Sequence, residues 1–489
     1  MNLAELVTAL PIYQTESILK HVKVNSLQVD SREVKRGDLF ICIKGFTVDG
    51  HNFAKQAEKN GAVAVVAERE LQLSIPTIIV PDTTRALAKM ATKFYNHPTE
   101  QLQLIGITGT NGKTTITYIL EAIFQAYQQK TGVIGTIQMK IGNQSIPIVN
   151  TTPDAFQLQR SFNEMVKQKV EVVMMEVSSH ALDLGRVAGC NFDIAIYTNL
   201  SQDHLDYHKN MDDYLRAKTL LFSQLGNSYA HEQPKFAIVN DDDPYRDAVI
   251  KSTTQNVITY GLTDNALIYA TNINLQPTET MFELHTPKGS VAINSELIGK
   301  FNVYNMLAAA SAAYVKDVPL NIIKQALEKI SGVSGRFERV DVGQDYTVIV
   351  DYAHTPDSLE NVLQTIKQFA QHKIYVVVGT GGDRDRTKRP LMANVAIEYA
   401  HYTFFTSDNP RTEKPEAIID DMVSHLTDEH YTVIVDRQEA IYEAIKRAET
   451  DDIVLIAGKG HETGQEINGK IYPFDDREVA KKAIKRKGF

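Results

Sequence analysis

The 489-residue chain is 43% hydrophobic and 23% charged, has no Trp, and carries a formal net charge of −9. That composition is ordinary for a soluble globular protein of about three domains, and its acidic balance argues against a general nucleic-acid or anionic-membrane binder while leaving anionic small substrates open. Only Cys42 and Cys190 are present, so neither a disulfide framework nor a cysteine zinc site follows, and a reducing cytoplasm fits. The first twenty residues lack a basic region and a long apolar run, so they do not read as a secretory signal. Apolar runs such as 306–315 are too short to insert in a membrane.

In chain order, 37–45 and 61–68 read as strands, with a helix over 52–60 between them and a linker at 96–101. A second unit opens at LQLIGITGTNGKTT, where an apolar strand runs into a Gly-rich turn and then a helical pattern. Buried-type runs follow at 170–179, 192–200 and 235–241, separated by helical patterns. This alternation predicts a mostly parallel sheet covered on both faces. The two glycines of 330–340 mark a second boundary. The last unit has apolar strands at 346–358, 373–390, 402–413 and 451–462, each ending in a polar or Gly-rich loop. Ligands of open α/β sheets bind at such carboxyl ends, so these loops are expected to line one crevice.

In GITGTNGKTT, Gly109 and Gly112 let backbone N–H groups close around phosphate oxygens at a helix N-terminus. Lys113 can neutralise the β/γ charge and the Thr114 hydroxyl can ligate Mg²⁺. The strict phosphate-loop spacing would place a glycine at Ile107, so this is a variant. A Gly-rich turn that only caps a helix is the competing reading. Glu176 ends an apolar run, where an unpaired carboxylate is costly. Either Mg²⁺ or a buried base would satisfy it. His204 follows another strand end; singly it reads as a loop histidine, and His204/His208 lack the glutamate of a HExxH helix. Lys218 falls on the apolar stripe of Met211, Tyr214, Leu215, Leu221 and Phe222. Burial would favour its neutral amine, which CO₂ converts to a carbamate able to ligate a metal. Spacing alone favours a snorkelling lysine instead. In TSDNPRTE, Arg411 either caps a surface loop or binds an anion.

GTNGKTT, NTTPD, EVSSHAL, TNLSQDHLDYH, YLRAKTLLF, GKFNVYN, SGRFE, VDYAHTPDS and SDNPRTE stand in the order found in Mur ligases. The chain resembles that family from VDSR to GKGHE, and among its members it is most similar to those that add diaminopimelate. The family comprises ATP-dependent amide ligases of peptidoglycan precursor synthesis. The resemblance implies an α/β protein of three domains: 1–99 binding UDP-MurNAc, 100–334 binding ATP around a P-loop-type centre, and 335–489 Rossmann-like and binding the amino acid. It implies catalytic roles for Lys113, Lys218 and Arg336. ATP would contact Gly109, Thr110, Asn111, Gly112, Lys113, Thr114, Thr115, Asn302, Asn305 and Asp351. The UDP-MurNAc-dipeptide would contact Ser31, Asn150, Thr151, Thr152, Ser178 and Arg186. Diaminopimelate would contact Arg384, Asp408, Asn409, Pro410, Arg411, Gly458 and Glu462. Mg²⁺ would be held by Thr114, Glu176, His204 and carbamylated Lys218. Gly464 departs from the pattern, since relatives often carry a bulkier residue there.

The same resemblance implies that the ATP γ-phosphoryl group passes to the D-glutamyl γ-carboxylate and that an amine then attacks the acyl phosphate. The expected protein is a cytoplasmic monomer with no nucleic-acid partner and no membrane insertion. Arg411 points to diaminopimelate rather than L-lysine, because a guanidinium pairs with the extra carboxylate and repels an ammonium. A folylpolyglutamate synthase-like ligase would need neither the first unit nor the DNPR loop. A GTPase switch would carry an NKxD motif, absent from the sequence, and a non-catalytic nucleotide binder would not need intact Lys113, Glu176 and Lys218.

Overall fold

The computed structural model describes residues 1–45, 48–148, 150–226, 234–276, 278–427 and 430–488. Its strands form three large sheets and one small hairpin. The first sheet has four parallel strands, Ser26–Gln28, Asp38–Ile41, Ala64–Ala67 and Thr77–Ile79, in that spatial order. The strands expected over 37–45 and 61–68 are shorter than their apolar runs. Gly37 and Gly61 have φ of +98° and +105° and make turns instead. The expected helix over 52–60 is a 3₁₀ turn, Gly50–Phe53, continuing as Ala54–Lys59.

The second sheet has eleven strands around a parallel centre. Three of its strands carry the site: β1 (Gln103–Thr108), β2 (Val172–Glu176) and β3 (Ile194–Tyr197). β1 lies between the other two and runs parallel to both. Successive strand side chains alternate faces. Ile105 and Ile107 therefore join one core cluster, with Ile116 and Ile119 of α1 (Lys113–Ala126), while Leu104 joins the other, with Tyr214 and Leu221 of α2 (Met211–Ser223). Both faces are covered, as the unbroken apolar runs predict. Antiparallel ribbons extend both edges, Met139–Ile141 with Gln144–Ile146 at one and Ile268–Leu275, Thr280–Thr286 and Gly289–Ser295 at the other. The parallel reading does not cover these, because strands such as Thr280–Thr286 alternate buried and half-buried positions. The helix α3 (Lys300–Val315) packs on α1 and brings Asn305 against Gly112 of the Gly-rich loop.

The third sheet holds β4 (Thr347–Asp351), β5 (Ile374–Val378), β6 (Tyr402–Phe405) and β7 (Ile453–Ala457), the four strands expected from the apolar runs. They run parallel in the order β4–β7–β5–β6, so their carboxyl ends share one edge. Helices α4 (Pro356–Phe369) and α5 (Lys388–Tyr399) follow β4 and β5. A hairpin, Gly464–Ile467 with Lys470–Pro473, follows β7. No helix among the described residues is long and apolar enough to cross a membrane.

Behind the strand ends, Arg437 donates to both oxygens of Asp476 at 2.8 and 2.7 Å, and both side chains are fully buried. A buried pair gives little net stability, but losing one partner strands the other charge. Arg437→Ala is expected to destabilise this unit by about 3–5 kcal/mol, read as a lower midpoint of its unfolding transition in urea. A change below about 1 kcal/mol would place water around the pair.

Candidate active site

The turn between β1 and α1 needs its glycines. Gly109 has φ +148°, and a Cβ there would lie 1.8 Å from Thr198 Oγ1. Gly112 has φ +89°, and its Cβ would lie 2.4 Å from Asn305 Oδ1. Lys113 Nζ curls back to donate to the Gly109 and Thr110 carbonyls, both at 2.8 Å. Burial lowers the pKa of this amine. The Asn111 amide donates to Asn199 Oδ1 at 2.9 Å, and Thr115 is buried in the first helical turn. The first turn of α1 leaves amides without helical partners. Together with Lys113 they place N–H donors and an amine at one helix N-terminus, an arrangement that can receive an anion.

Glu176, at the end of β2, is almost fully buried, yet it is bonded. Thr136 N reaches Oε1 at 2.8 Å, and Thr136 Oγ1 and Thr114 Oγ1 reach Oε2 at 2.9 and 3.0 Å. The buried base expected as one alternative is therefore replaced by hydroxyl and amide donors. Arg336 Nη2 donates to Thr114 Oγ1 at 3.1 Å, its guanidinium lies 4.4 Å over the Tyr352 ring, and its buried Nε has no hydrogen-bond partner among the described residues. Among the described residues no group of three or more His, Cys, Asp and Glu side chains is placed to hold a metal. The Thr114–Glu176 pair nonetheless offers two adjacent hard oxygens. That fits Mg²⁺, which uses few protein ligands and takes the rest from water and phosphate.

Lys218 is 2% exposed, so it does not snorkel. Its Nζ stands 4.3 Å from the Tyr214 ring centroid, and no hydrogen bond or ion pair reaches it among the described residues. Burial, reinforced by Lys113, drives its pKa well below the usual range. His204 lies beside it, lowered by burial to about 3 against the pull of Asp203. Asp203 gathers basic side chains from both units, with His204 at 3.4 Å and His354 and Lys388 at 3.9 Å. Burial alone would raise the Asp203 carboxyl, but these neighbours hold it far below the usual carboxylate range.

The other expected nucleotide residues lie close by. Asn305 Nδ2 donates to Asn302 Oδ1 at 3.0 Å, and Asp351, at the end of β4, accepts from the Phe337 amide at 2.7 Å. Asp357, at the start of α4, accepts from Asn111 Nδ2 at 2.7 Å and Ser201 Oγ at 2.9 Å. Four of the six expected sugar-peptide residues cluster beside Glu176. Thr152 Oγ1 donates to Glu176 O at 2.9 Å, Ser178 N to Thr152 Oγ1 at 3.0 Å, and Arg186 Nη1 to Thr152 O at 3.1 Å, while Thr151 and Thr136 share a hydroxyl contact at 3.1 Å. Ser31 is buried in the first unit, where its carbonyl accepts from Asn60 Nδ2, and Asn150 is exposed. No hydrogen bond joins either to that cluster among the described residues.

The loops expected to line one crevice meet at the strand ends of the third sheet. Asn409 Nδ2 donates to Glu462 Oε2 at 2.9 Å, and the fully buried Lys459 Nζ donates to Asn409 Oδ1 at 2.9 Å and to Glu462 Oε2 at 2.8 Å. Gly458, at φ +119°, leaves room for Asp408, whose Oδ2 would be 2.7 Å from a Cβ at that position. A Cβ on Gly382 would lie 2.0 Å from Pro410 O, so the GGDR and DNPR loops touch backbone to backbone. Arg411 Nη1 donates to Gly382 O at 2.7 Å and its Nε lies 3.2 Å from Glu466 Oε2. Arg384 is exposed and donates to Asp383 O, apart from the Asn409 network. Tyr352 connects the two halves, since its ring lies under Arg336 and 5.2 Å from that of His461, next to Glu462.

Sequence reasoning does not single out Thr136, Asp203, His354, Lys388, Lys459, Asp357 or Glu466. His354 and Asp357 lie inside VDYAHTPDS, Asp203 in SQDH and Lys459 in GKGHE, so proximity to a motif was the available signal. Thr136 and Glu466 carry none.

Three family descriptions match in chain order: "Mur ligase family, catalytic domain" over 23–95, "Mur ligase middle domain" over 107–313 and "Mur ligase, glutamate ligase domain" over 335–460. A protein of Oceanobacillus iheyensis named UDP-N-acetylmuramoyl-L-alanyl-D-glutamate--2,6-diaminopimelate ligase is 57% identical over 100% of both chains. The Bacillus cereus protein of the same name is 56% identical over 94% of each. A solved structure of an enzyme of that name shares 35% identity and superposes with a TM-score of 0.70 over 99% of each chain. With one set of Mur ligase descriptions spanning all three sheets and a relative this similar along its whole length, the chain belongs to the Mur ligase family.

Proposed function

We propose that this chain is an ATP-dependent amide ligase that adds diaminopimelate to the D-glutamyl γ-carboxylate of UDP-N-acetylmuramoyl-L-alanyl-D-glutamate. The observation that carries the reading is the 3.1 Å contact from Arg336 to Thr114. It joins the phosphate loop to the third unit, whose strand-end loops hold the Asn409–Lys459–Glu462 network and Arg411. A nucleotide cradle and an amino-acid crevice thus open on one cleft. The three sheets support a division at 1–99, 100–334 and 335–489, with UDP-MurNAc held by the first unit, ATP by the second and the amino acid by the third.

Amide formation from a carboxylate needs a leaving group. The γ-carboxylate oxygen attacks the ATP γ-phosphorus, the bond to the β-phosphate oxygen breaks, and ADP leaves. The amine then attacks the acyl carbon, and inorganic phosphate departs with the C–O bond electrons while the amine loses a proton. Carboxylate and polyphosphate repel each other, so the protein must supply positive charge where the phosphoryl group passes. Lys113 and Arg336 are the cations in place for this. Thr114, Glu176, His204 and Lys218 are the residues that would hold Mg²⁺, which when bound offsets phosphate charge. The neutral Lys218 amine is in the form that could add CO₂ and release a proton, and the resulting carbamate would offer an anionic oxygen to the metal. The Asp357 hydrogen bonds and the Lys388–Asp203 ion pair tie the third unit to the central one, and closure there would exclude water that hydrolyses the acyl phosphate.

The test is ADP release by the purified chain with UDP-MurNAc-dipeptide, ATP and Mg²⁺ against a panel of amines. Diaminopimelate is expected to exceed L-lysine by at least about tenfold in kcat/KM, the value of one charge-assisted contact. Equal rates would remove Arg411 from selectivity, and ADP release without any amide product would overturn the ligase reading.

A further inference from the structure

The hairpin after β7 is bonded along its first strand to the Arg411 loop. Gln465 Nε2 donates to Asp408 O at 2.6 Å and the Glu466 amide to Asn409 Oδ1 at 2.9 Å. The Arg411 amide donates to Glu466 O at 3.0 Å and the Asn468 amide to Arg411 O at 2.7 Å. A two-stranded hairpin is marginal alone, so these bonds decide where it sits. They also hold Arg411 at φ +52°, a left-handed conformation unfavourable for a residue with a side chain.

The side chains repeat the pairing. Glu466 Oε2 engages Arg411 Nε, and Gly382 O engages Nη1. A guanidinium is planar, with five N–H donors in a fixed fork. Glu466 flanks Nε and Gly382 O takes one Nη1 hydrogen, so the fork keeps further N–H donors for a carboxylate. Gly464 belongs to the same hairpin. A Cβ there would come within 2.5 Å of Ile471 Cγ2, so the return strand occupies the space a bulkier residue would fill.

We propose that Glu466 is a positioning residue that fixes the angle of the Arg411 guanidinium, and thereby a determinant of selectivity for an amine substrate with a distal carboxylate. It rests on the diaminopimelate reading above. Glu466 acts through Arg411 and stays away from the reacting atoms. Its pair with Arg411 is partly open to water, with side chains 21% and 41% exposed, so the effect is moderate.

Steady-state kinetics of the full chain test this with Glu466→Ala, Glu466→Gln, Arg411→Ala and the Arg411→Ala/Glu466→Ala double variant. Glu466→Ala is expected to raise the KM for diaminopimelate about fivefold, with kcat and the KM for ATP held within about twofold. Glu466→Gln, which keeps an acceptor, is expected to fall between it and the wild type. In the Arg411→Ala background, removing Glu466 should change nothing further, because the group it orients is gone. An unchanged diaminopimelate KM in Glu466→Ala, a KM for ATP that rises in step, or additive losses in the double variant would each overturn the proposal. A wild-type chain that releases no ADP with diaminopimelate would overturn the function reading, and this one with it.

Discussion

Replacing Lys218 with alanine is expected to lower kcat about 100- to 1,000-fold, the scale seen when one preorganised electrostatic group leaves a water-excluded site. The argument starts from burial. An ammonium without an anionic partner is unfavourable in such a place, and here desolvation and nearby Lys113 both push the pKa down. The neutral form is the one that adds to CO₂. The Ala variant leaves space beside Tyr214, so formate or acetate is expected to recover part of the rate, about tenfold, by placing a carboxylate where the carbamate was. ATP affinity measured by calorimetry guards against misfolding and should stay within about threefold. Unchanged turnover in Lys218→Ala would end the carbamate idea; a loss of rate without rescue would leave the lysine as a packing and electrostatic element.

Arg411→Ala is the second large effect. A charge-assisted contact contributes about 1.5–3 kcal/mol, so kcat/KM for diaminopimelate should drop roughly 10- to 150-fold. ATP affinity should not follow, since the nearest Arg411 partners are Gly382 and Glu466 rather than any residue of the phosphate loop. Turnover with L-lysine should fall less or rise, because the variant removes the repulsion of its ammonium. Parallel losses of ATP binding and diaminopimelate turnover would reassign Arg411 to the stability of the loop.

Much of this site was legible because its chemistry depends on local patterns. The strand–Gly-rich turn–helix sequence at 103–126 gives the phosphate loop, and four apolar runs give the parallel strands whose ends form the crevice. Lys218 shows the limit. Its spacing fits a snorkelling side chain, and only the packing of α2 beneath the loop at Thr110 and His204 makes it buried. The partner of Glu176 was hidden for another reason. Thr136 lies 40 residues away in sequence, and a lone threonine carries no pattern. Glu466 was equally silent, since its role depends on a hairpin folding back over a loop more than fifty residues earlier. Contacts of this kind are set by topology, which a single sequence encodes only collectively.

Asp357 lies 246 residues beyond Asn111, yet its carboxylate grips both that side chain and Ser201. The rim of the Gly-rich loop is thus partly fastened by a distant stretch of polypeptide. Swinging the last sheet outward would slacken the rim, and a loaded nucleotide would find its grip weakened at the same moment the amine's berth is dismantled. Asp357 thus acts beside the Arg336–Thr114 contact and the Asp203 pairs in tying the last sheet to the central one.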